Sequence, residues 1–360
     1  MLGPAPRTTP DEEAMNLTSL KNSPIDTLNR PLRDLRISVT DRCNFRCTYC
    51  MPAEVFGEKY EFLPRADLLT FEEIEQLVRV FAELGVAKLR ISGGEPLLRH
   101  DLDCLITQLA QVEGIDDIAL TTNATLLPRT ADKLRKAGLG RLTVSLDSLD
   151  EAVFRQMNGD KLSPEQVLEG IAAAEAAGFQ HLKINCVVQK GVNDHTIVDL
   201  ARYFRGSGHI LRFIEFMDVG TRNGWDLSQV MSGAEIVDAI HSEYPLQSLA
   251  PNHVGEVAKR WEYVDGGGEI GIVTSVSKPF CGDCSRARLT TDGKLVTCLF
   301  ANSGTDLRAP LRDGASHAEL LDLVAGVWRV RTDRYSEGRS QLTAEARQDR
   351  ARMEMYQLGG

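Results

Sequence analysis

Six of the eight cysteines fall into two tight sets, Cys43-Asn-Phe-Arg-Cys47-Thr-Tyr-Cys50 and Cys281-Gly-Asp-Cys284 with Cys298. Eight cysteines in 360 residues are too sparse for a disulfide-stapled module, and clustered thiolates in a reducing compartment point to metal. Each set stops at three. A structural zinc site closes with four ligands, and neither Cys nor His occurs in the dozen residues after Cys50. A cubane iron–sulfur cluster held by three thiolates instead keeps one iron open to an outside ligand. Two other readings stand beside this one. The first set is a loop of buried thiols or a zinc site completed from elsewhere, and the second takes His317 as a fourth zinc ligand.

Other residues carry less. Arg36, Arg90 and Lys183 sit on or beside strand-like runs, alternating with apolar residues; cations embedded in strands and facing a lumen need anionic partners. Gly93-Gly94-Glu95-Pro96 at the end of such a run reads by itself as a strand-to-helix turn. Cys104 and Cys186 are isolated and read as buried thiols acting as small hydrophobes. His181, His195 and His241 lack metal-like spacing and receive no role. Asp147 in Ser-Leu-Asp-Ser is expected to cap the loop that follows.

The elements that must hold these groups follow a repeated βα order. Strands are predicted at 35–39, 88–92, 118–121, 142–146, 182–188 and 211–216, and helices near 71–84, 101–111, 129–137, 163–177 and 194–206. Thr70 with Glu73 forms a capping box, and Gly178 closes the Ala-rich helix before it. Six such units predict an α/β fold, a partial (β/α)6 TIM-like barrel with its site at the C-terminal ends of the strands. After residue 218 the pattern changes to a short helix near 233–241 and strand-like runs at 270–276 and 287–290. The expected organisation is a flexible N-terminal arm over 1–30, the barrel over 31–218, a smaller domain over 219–332 and an extended tail over 333–360 ending in Gly359–Gly360. Net charge is -10 and the sequence pI about 5.3, which argues against binding nucleic acid. No apolar run approaches the roughly 20 residues of a membrane span, so a cytoplasmic protein without membrane contact is expected.

The Cys43–Cys50 motif, with Tyr49 before its last cysteine and Gly93-Gly94-Glu95-Pro96 downstream, resembles the radical S-adenosylmethionine superfamily. That resemblance implies a [4Fe–4S] cluster on Cys43, Cys47 and Cys50 whose free iron chelates S-adenosylmethionine, and reductive cleavage to a 5′-deoxyadenosyl radical. Phe280-Cys-Gly-Asp-Cys-Ser-Arg-Ala-Arg-Leu289, together with Arg212-Phe-Ile-Glu-Phe-Met-Asp218, is similar to the GTP 3′,8-cyclase family from about Arg33 to Gly360. It implies a second [4Fe–4S] cluster on Cys281, Cys284 and Cys298 in the smaller domain, binding the purine of GTP. By the same resemblance Tyr49, Gly94, Ser145, Arg212 and Met217 contact S-adenosylmethionine, while Arg36, Arg90, Thr121, Lys183, Arg286, Ala287 and Arg288 bind GTP. The resemblance also implies that the terminal Gly359–Gly360 pair reaches into the site. Ala124 departs from the family, which often has Gly after Thr-Thr-Asn.

The implied reaction makes 3′,8-cyclo-7,8-dihydroguanosine 5′-triphosphate, the first step of molybdenum cofactor biosynthesis. Implied partners are an electron donor such as flavodoxin or ferredoxin and the next enzyme of the molybdopterin pathway, with the chain a monomer or homodimer. On a chain of net charge -10 a triphosphate must be drawn by local cations converging at the barrel mouth. The alternative within the superfamily is a peptide or sulfatase maturase with an auxiliary cluster.

Overall fold

The computed structural model describes residues 23–253, 255–339 and 352–359. Strands and helices alternate as β1 (Asp34–Ser38), α1 (Phe71–Glu83), β2 (Lys88–Ser92), α2 (Leu102–Leu109), β3 (Asp117–Thr122), α3 (Leu127–Lys136) and β4 (Arg141–Ser145). Then come α4 (Glu151–Asn158), α5 (Pro164–Ala176), β5 (Lys183–Val188), α6 (Ile197–Phe204) and β6 (Ile210–Glu215). The expected capping box opens α1: Glu73 N donates to Thr70 Oγ1 at 3.2 Å and Thr70 N to Glu73 Oε2 at 2.8 Å. Helix α4, absent from the sequence reading, is short; Asp150 caps it by accepting from Val153 N, and Val153, Phe154 and Met157 bury its inner face.

Beyond β6 lie α7 (Gly233–His241), β7 (Leu246–Ser248), β8 (Lys259–Tyr263), β9 (Glu269–Val273), β10 (Arg286–Leu289), β11 (Lys294–Val296) and β12 (Thr305–Asp306). Among the described residues the helices α8 (Arg308–Arg312), α9 (His317–Arg329), α10 (Tyr335–Gly338) and α11 (Met355–Leu358) follow. These strands do not form a sheet of their own. One sheet runs β12-β11-β10-β1-β2-β3-β4-β5-β6-β9-β8-β7, in which β10 and β9 extend the six barrel strands in parallel on either edge. Residue 218 therefore falls between two parts of one sheet. Ile236, Leu289, Leu295 and Trp328 share a hydrophobic cluster with Leu35, Ile91 and Val144, so both parts also share a core. Among the described residues no helix is long and apolar enough to cross a membrane.

Two terminal segments differ from expectation. Residues 23–30, assigned to a flexible arm, are packed: Asp26 and Arg30 are buried, and Ile25 bridges Pro31. Residues 1–22 lie outside the described residues. The tail is not extended where it is described, because Met353, Tyr356 and Leu358 find apolar partners and α11 forms among them. Its last residue, Gly360, lies outside the described residues.

Period-2 alternation decides what faces the lumen. In β5, Ile184, Cys186 and Val188 are buried against the helices, while Lys183, Asn185 and Val187 face the cavity. Helix α5 lies close on the turn after β3, where Ala124 holds φ 66°. A Cβ at Gly170 would stand 2.1 Å from the Ala124 carbonyl oxygen. Gly170→Ala gains about 1 kcal/mol of helix propensity, but the overpacking costs about 1–3 kcal/mol and the obstacle is backbone. A lower denaturation midpoint is expected; a raised midpoint would show that α5 shifts without strain.

Candidate active site

The sheet curls round a cavity of about 440 Å³ whose wall includes residues of β10, β1 to β6 and β9. Register places the cations. Arg36 on β1 pairs with Arg90 on β2 and with Arg288 on β10, so three arginines stand in one row across neighbouring strands. Like charges directly opposite are destabilising in a sheet, and no carboxylate bridges these three among the described residues. Burial, then Arg90 and Arg286, pull Arg36 down to about 9. Burial, then Arg212 and Arg141, pull Arg90 down to about 9. Lys183 is lowered to about 8 by burial and then Arg212, and Arg288 falls well below its ordinary value through burial and then Arg36. Arginine stays charged at neutral pH regardless, so the shifts express the cost of taking cations out of water close to one another. A polyanion would offset it.

Neutral partners hold these side chains in place. Arg90 Nη1 donates to Thr121 Oγ1 at 3.3 Å and Thr143 Oγ1 at 3.2 Å. Arg212 donates twice to Asn185 Oδ1, from Nη2 at 2.7 Å and from Nε at 3.0 Å. Asn185 escaped the sequence reading, since nothing in Leu-Lys-Ile-Asn marks it apart from its place two residues after Lys183.

The first thiol set lies on the loop after β1, against the turn after β2. Gly94 N donates to Thr40 O and Glu95 N to Arg42 O, both at 2.8 Å. A Cβ at Gly94 would stand 2.3 Å from Arg42 O. Glycine is thus required there first by the close approach of the cysteine loop itself. The Glu95 carboxylate accepts from Leu97 N, Thr122 Oγ1 and Asn123 N, which ties this turn to the end of β3; burial nevertheless pushes its carboxyl up to about 7. Asp147 is not the expected cap: Oδ2 accepts from Tyr49 Oη and Oδ1 from Val187 N, both at 2.8 Å, joining the cysteine loop to β5. Burial pushes Asp147 up to about 6.

Cys43, Cys47, Cys50, Cys281, Cys284 and Cys298 all line this one cavity, as do Tyr49, Gly94, Ser145, Met217, Thr121 and Arg286. Ala287 is the exception. It is fully buried in the hydrophobic core and absent from the wall, because it alternates with Arg286 and Arg288 along β10. Cys104 is exposed on α2 rather than buried, whereas Cys186 is buried as expected.

Among the described residues no three His, Cys, Asp or Glu side chains converge as a single-ion site. His317, the candidate fourth zinc ligand, begins α9 and bonds Glu83 at 2.8 Å on the surface. Burial pushes the Cys43 thiol up to about 12 and Cys47 and Cys50 upward, so these groups are neutral thiols unless a bound cation offsets the cost of burying their thiolates. At Cys284 burial is outweighed by the Arg286 and Arg331 guanidiniums, which bring the thiol down to about 6. Arg286 Nη2 lies 3.2 Å from its sulfur.

The tail completes the enclosure. Arg288 Nη1 donates to Leu358 O at 2.8 Å and Gly359 O at 3.0 Å. Gly359, at φ 71°, lies so close to β2 that a Cβ would stand 2.1 Å from Ser92 Oγ. Upstream, Tyr356 Oη and Tyr60 Oη are 2.8 Å apart, which pins α11 to the segment following the first cysteine set.

Known proteins match this arrangement. The family model described as the Radical SAM superfamily matches residues 37–204, and the one described as Molybdenum Cofactor Synthesis C matches residues 209–337. A GTP 3′,8-cyclase of Xanthomonas axonopodis pv. citri is 53% identical over 335 residues, covering 93% of this chain and 98% of the relative. A GTP 3′,8-cyclase of Staphylococcus saprophyticus is 49% identical over 336 residues, with the same two coverages of 93% and 98%. Among solved structures, Streptococcus suis SuiB bound to S-adenosylmethionine superposes with a TM-score of 0.57 at 16% identity, covering 92% of this chain and 72% of SuiB, a likeness of fold.

Proposed function

The chain belongs to the GTP 3′,8-cyclase family of radical S-adenosylmethionine enzymes, and from that premise we propose how its cavity serves the family reaction. That reaction converts GTP to 3′,8-cyclo-7,8-dihydroguanosine 5′-triphosphate at the start of molybdenum cofactor biosynthesis. A [4Fe–4S] cluster with S-adenosylmethionine, when bound, supplies the 5′-deoxyadenosyl radical that takes the ribose 3′ hydrogen. Cys43, Cys47 and Cys50 are the residues assigned to that cluster. Cys281, Cys284 and Cys298 are assigned to a second [4Fe–4S] cluster that receives the purine.

The row Arg288–Arg36–Arg90 carries this reading. Mutually repelling, with Arg288 buried, Arg36 and Arg90 half-buried, and none in ion-pair contact with a carboxylate among the described residues, these cations form a seat for a triphosphate that the net charge of -10 would otherwise repel. Lys183, Thr121 and Arg286 extend the nucleotide seat, whereas Ala287 lies outside it. Tyr49, Gly94, Ser145 and Met217 are assigned to S-adenosylmethionine. Arg212 faces its carboxylate, held by Asn185 at 2.7 Å so that its fork is set before the ligand arrives. Tyr49 is fixed in turn by Asp147 at 2.8 Å. The protein's part is orientation and exclusion of water, and the electron comes from a donor such as flavodoxin or ferredoxin.

One hydrogen atom leaves the nucleotide and one electron and one proton return to it, so the product is an isomer of GTP. The test is anaerobic incubation of the reconstituted protein with S-adenosylmethionine, dithionite and each nucleoside triphosphate. With GTP alone, 5′-deoxyadenosine and a chromatographically separate nucleotide of unchanged mass are expected. Deoxyadenosine with no nucleotide product, or equal turnover of ATP, would refute the assignment and favour a maturase of peptides or sulfatases.

A further inference from the structure

We infer that Asp26, Arg30, Arg331 and Asp333 form a clamp that positions the second cysteine set and tunes the centre it holds, so that residues 23–31 belong to the site. This inference rests on the assignment of a second cluster to Cys281, Cys284 and Cys298.

The clamp is built from charge taken out of water. The Asp26–Arg30 pair closes at 2.6 Å, with side chains 0% and 2% exposed. Arg331, equally buried, reaches Asp26 Oδ2 and Asp333 Oδ2, each at 3.3 Å. Two cations and two carboxylates balance, with Asp333 half-buried and the other three buried, and removing one of the buried three leaves an uncompensated charge.

Both arginines of the clamp reach the cysteine set, and Asp333 reaches the residue before its third member. Arg30 Nη1 donates to Cys281 O at 2.8 Å, and Arg331 Nη1 donates to Cys284 O at 2.7 Å. Asp333 Oδ2 accepts from Thr297 Oγ1 at 2.6 Å, one residue before Cys298, and Asp333 O accepts from Arg30 Nη1 at 2.8 Å. The three thiols come from two separated stretches of chain, and this network holds both stretches in one frame. Its own position is fixed by Trp328, whose Nε1 donates to Arg30 O at 2.9 Å and whose ring lies 4.5 Å from the Arg331 guanidinium.

A second observation points from the clamp to a ligand. Arg30 lines the cavity, and its Nη2 is buried without a hydrogen-bond partner among the described residues. A fully buried guanidinium N–H is rarely left unpaired. Beside three thiols, the acceptor it lacks is an anionic inorganic sulfur or a thiolate of the bound centre. Donors and cations close to a cluster raise its reduction potential and fix the orientation of its ligands. Arg30 and Arg331 are positioning residues in this sense, since they act through the backbone of the ligating cysteines.

The test uses the full chain, reconstituted anaerobically. Arg30→Met, Arg30→Lys and Asp333→Asn are compared with wild type for iron per chain and for the midpoint potentials of the two centres by electron paramagnetic resonance. Because Arg30→Met strands Asp26, the paired variant Asp26→Asn/Arg30→Met is measured as well, with circular dichroism to establish folding. Expected for Arg30→Met and the paired variant is either loss of up to half the iron or a second centre with a more negative potential, the first centre being unchanged. Arg30→Lys should restore part of the effect. A folded paired variant with wild-type iron and both potentials unmoved would overturn the clamp. Replacing Cys281, Cys284 and Cys298 by Ser separates the two ideas. If that variant keeps all its iron, the second-cluster assignment falls; if it loses half while Arg30→Met is silent, only the clamp does.

Discussion

Arg288→Ala is expected to weaken GTP binding roughly ten- to a hundredfold and to lower formation of the cyclised product further still. Arg288 is 5% exposed and stands in register with Arg36, so it has no solvated alternative to an anionic or carbonyl partner. Losing a hydrogen bond from a charged donor costs about 1.5–3 kcal/mol, which sets the affinity range. The additional loss comes from the tail, because Arg288 Nη1 also seats the Leu358 and Gly359 carbonyls. Deleting Gly359 and Gly360 should leave iron content and GTP affinity near wild type while strongly reducing product.

The two changes form a double-mutant cycle. If Arg288 acts on product formation through the tail, adding Arg288→Ala to the truncation lowers affinity but takes little more from the rate of the radical step. Equilibrium titration of GTP and product formation at saturating GTP measure the two quantities separately. Full additivity in product formation would make Arg288 a nucleotide ligand only. Wild-type turnover by the truncated chain, with iron matched, would remove the tail from the reaction.

The second large effect is reciprocal loss from the two cysteine sets. Two cubane centres imply about eight irons per chain. Replacing Cys43, Cys47 and Cys50 by Ser should remove about half and abolish cleavage of S-adenosylmethionine. Replacing Cys281, Cys284 and Cys298 should remove the other half, leave cleavage measurable and eliminate the cyclised nucleotide. The asymmetry follows from placement. The first set lies against Gly94 and the Tyr49–Asp147 pair, the second beside Arg286 and the clamp. Iron analysis with quantification of 5′-deoxyadenosine distinguishes the halves. If the second triple variant also loses cleavage of S-adenosylmethionine, the division of labour between the sets is wrong.

What the sequence determined by itself was local. The two thiol sets are close in the chain, so their spacing carries their meaning whatever the rest of the molecule does. The βα order and the lumen-facing places of Arg36, Arg90 and Lys183 follow from period-2 alternation, which a strand keeps in any sheet. The same rule, applied to Arg286-Ala-Arg288, would have removed Ala287 from the nucleotide wall.

Tertiary structure decided what depends on pairing between distant segments. The parallel pairing of β10 with β1 puts Arg288 beside Arg36, and the pairing of β9 with β6 makes the C-terminal region a continuation of the barrel sheet. Nothing local in Asp26 or Arg30 announces that Arg30, held by Asp26, grips the Cys281 carbonyl from a segment that reads as a flexible arm. Asp147 resembles a cap in its own sequence and becomes a support for Tyr49 only because β4 and β5 are neighbours. The tail forms α11 because Phe56 and Tyr60 offer Tyr356 a surface. A chain's spacing reports what one segment can do alone; which segments meet is set by sheet order and burial, and those are properties of the whole chain.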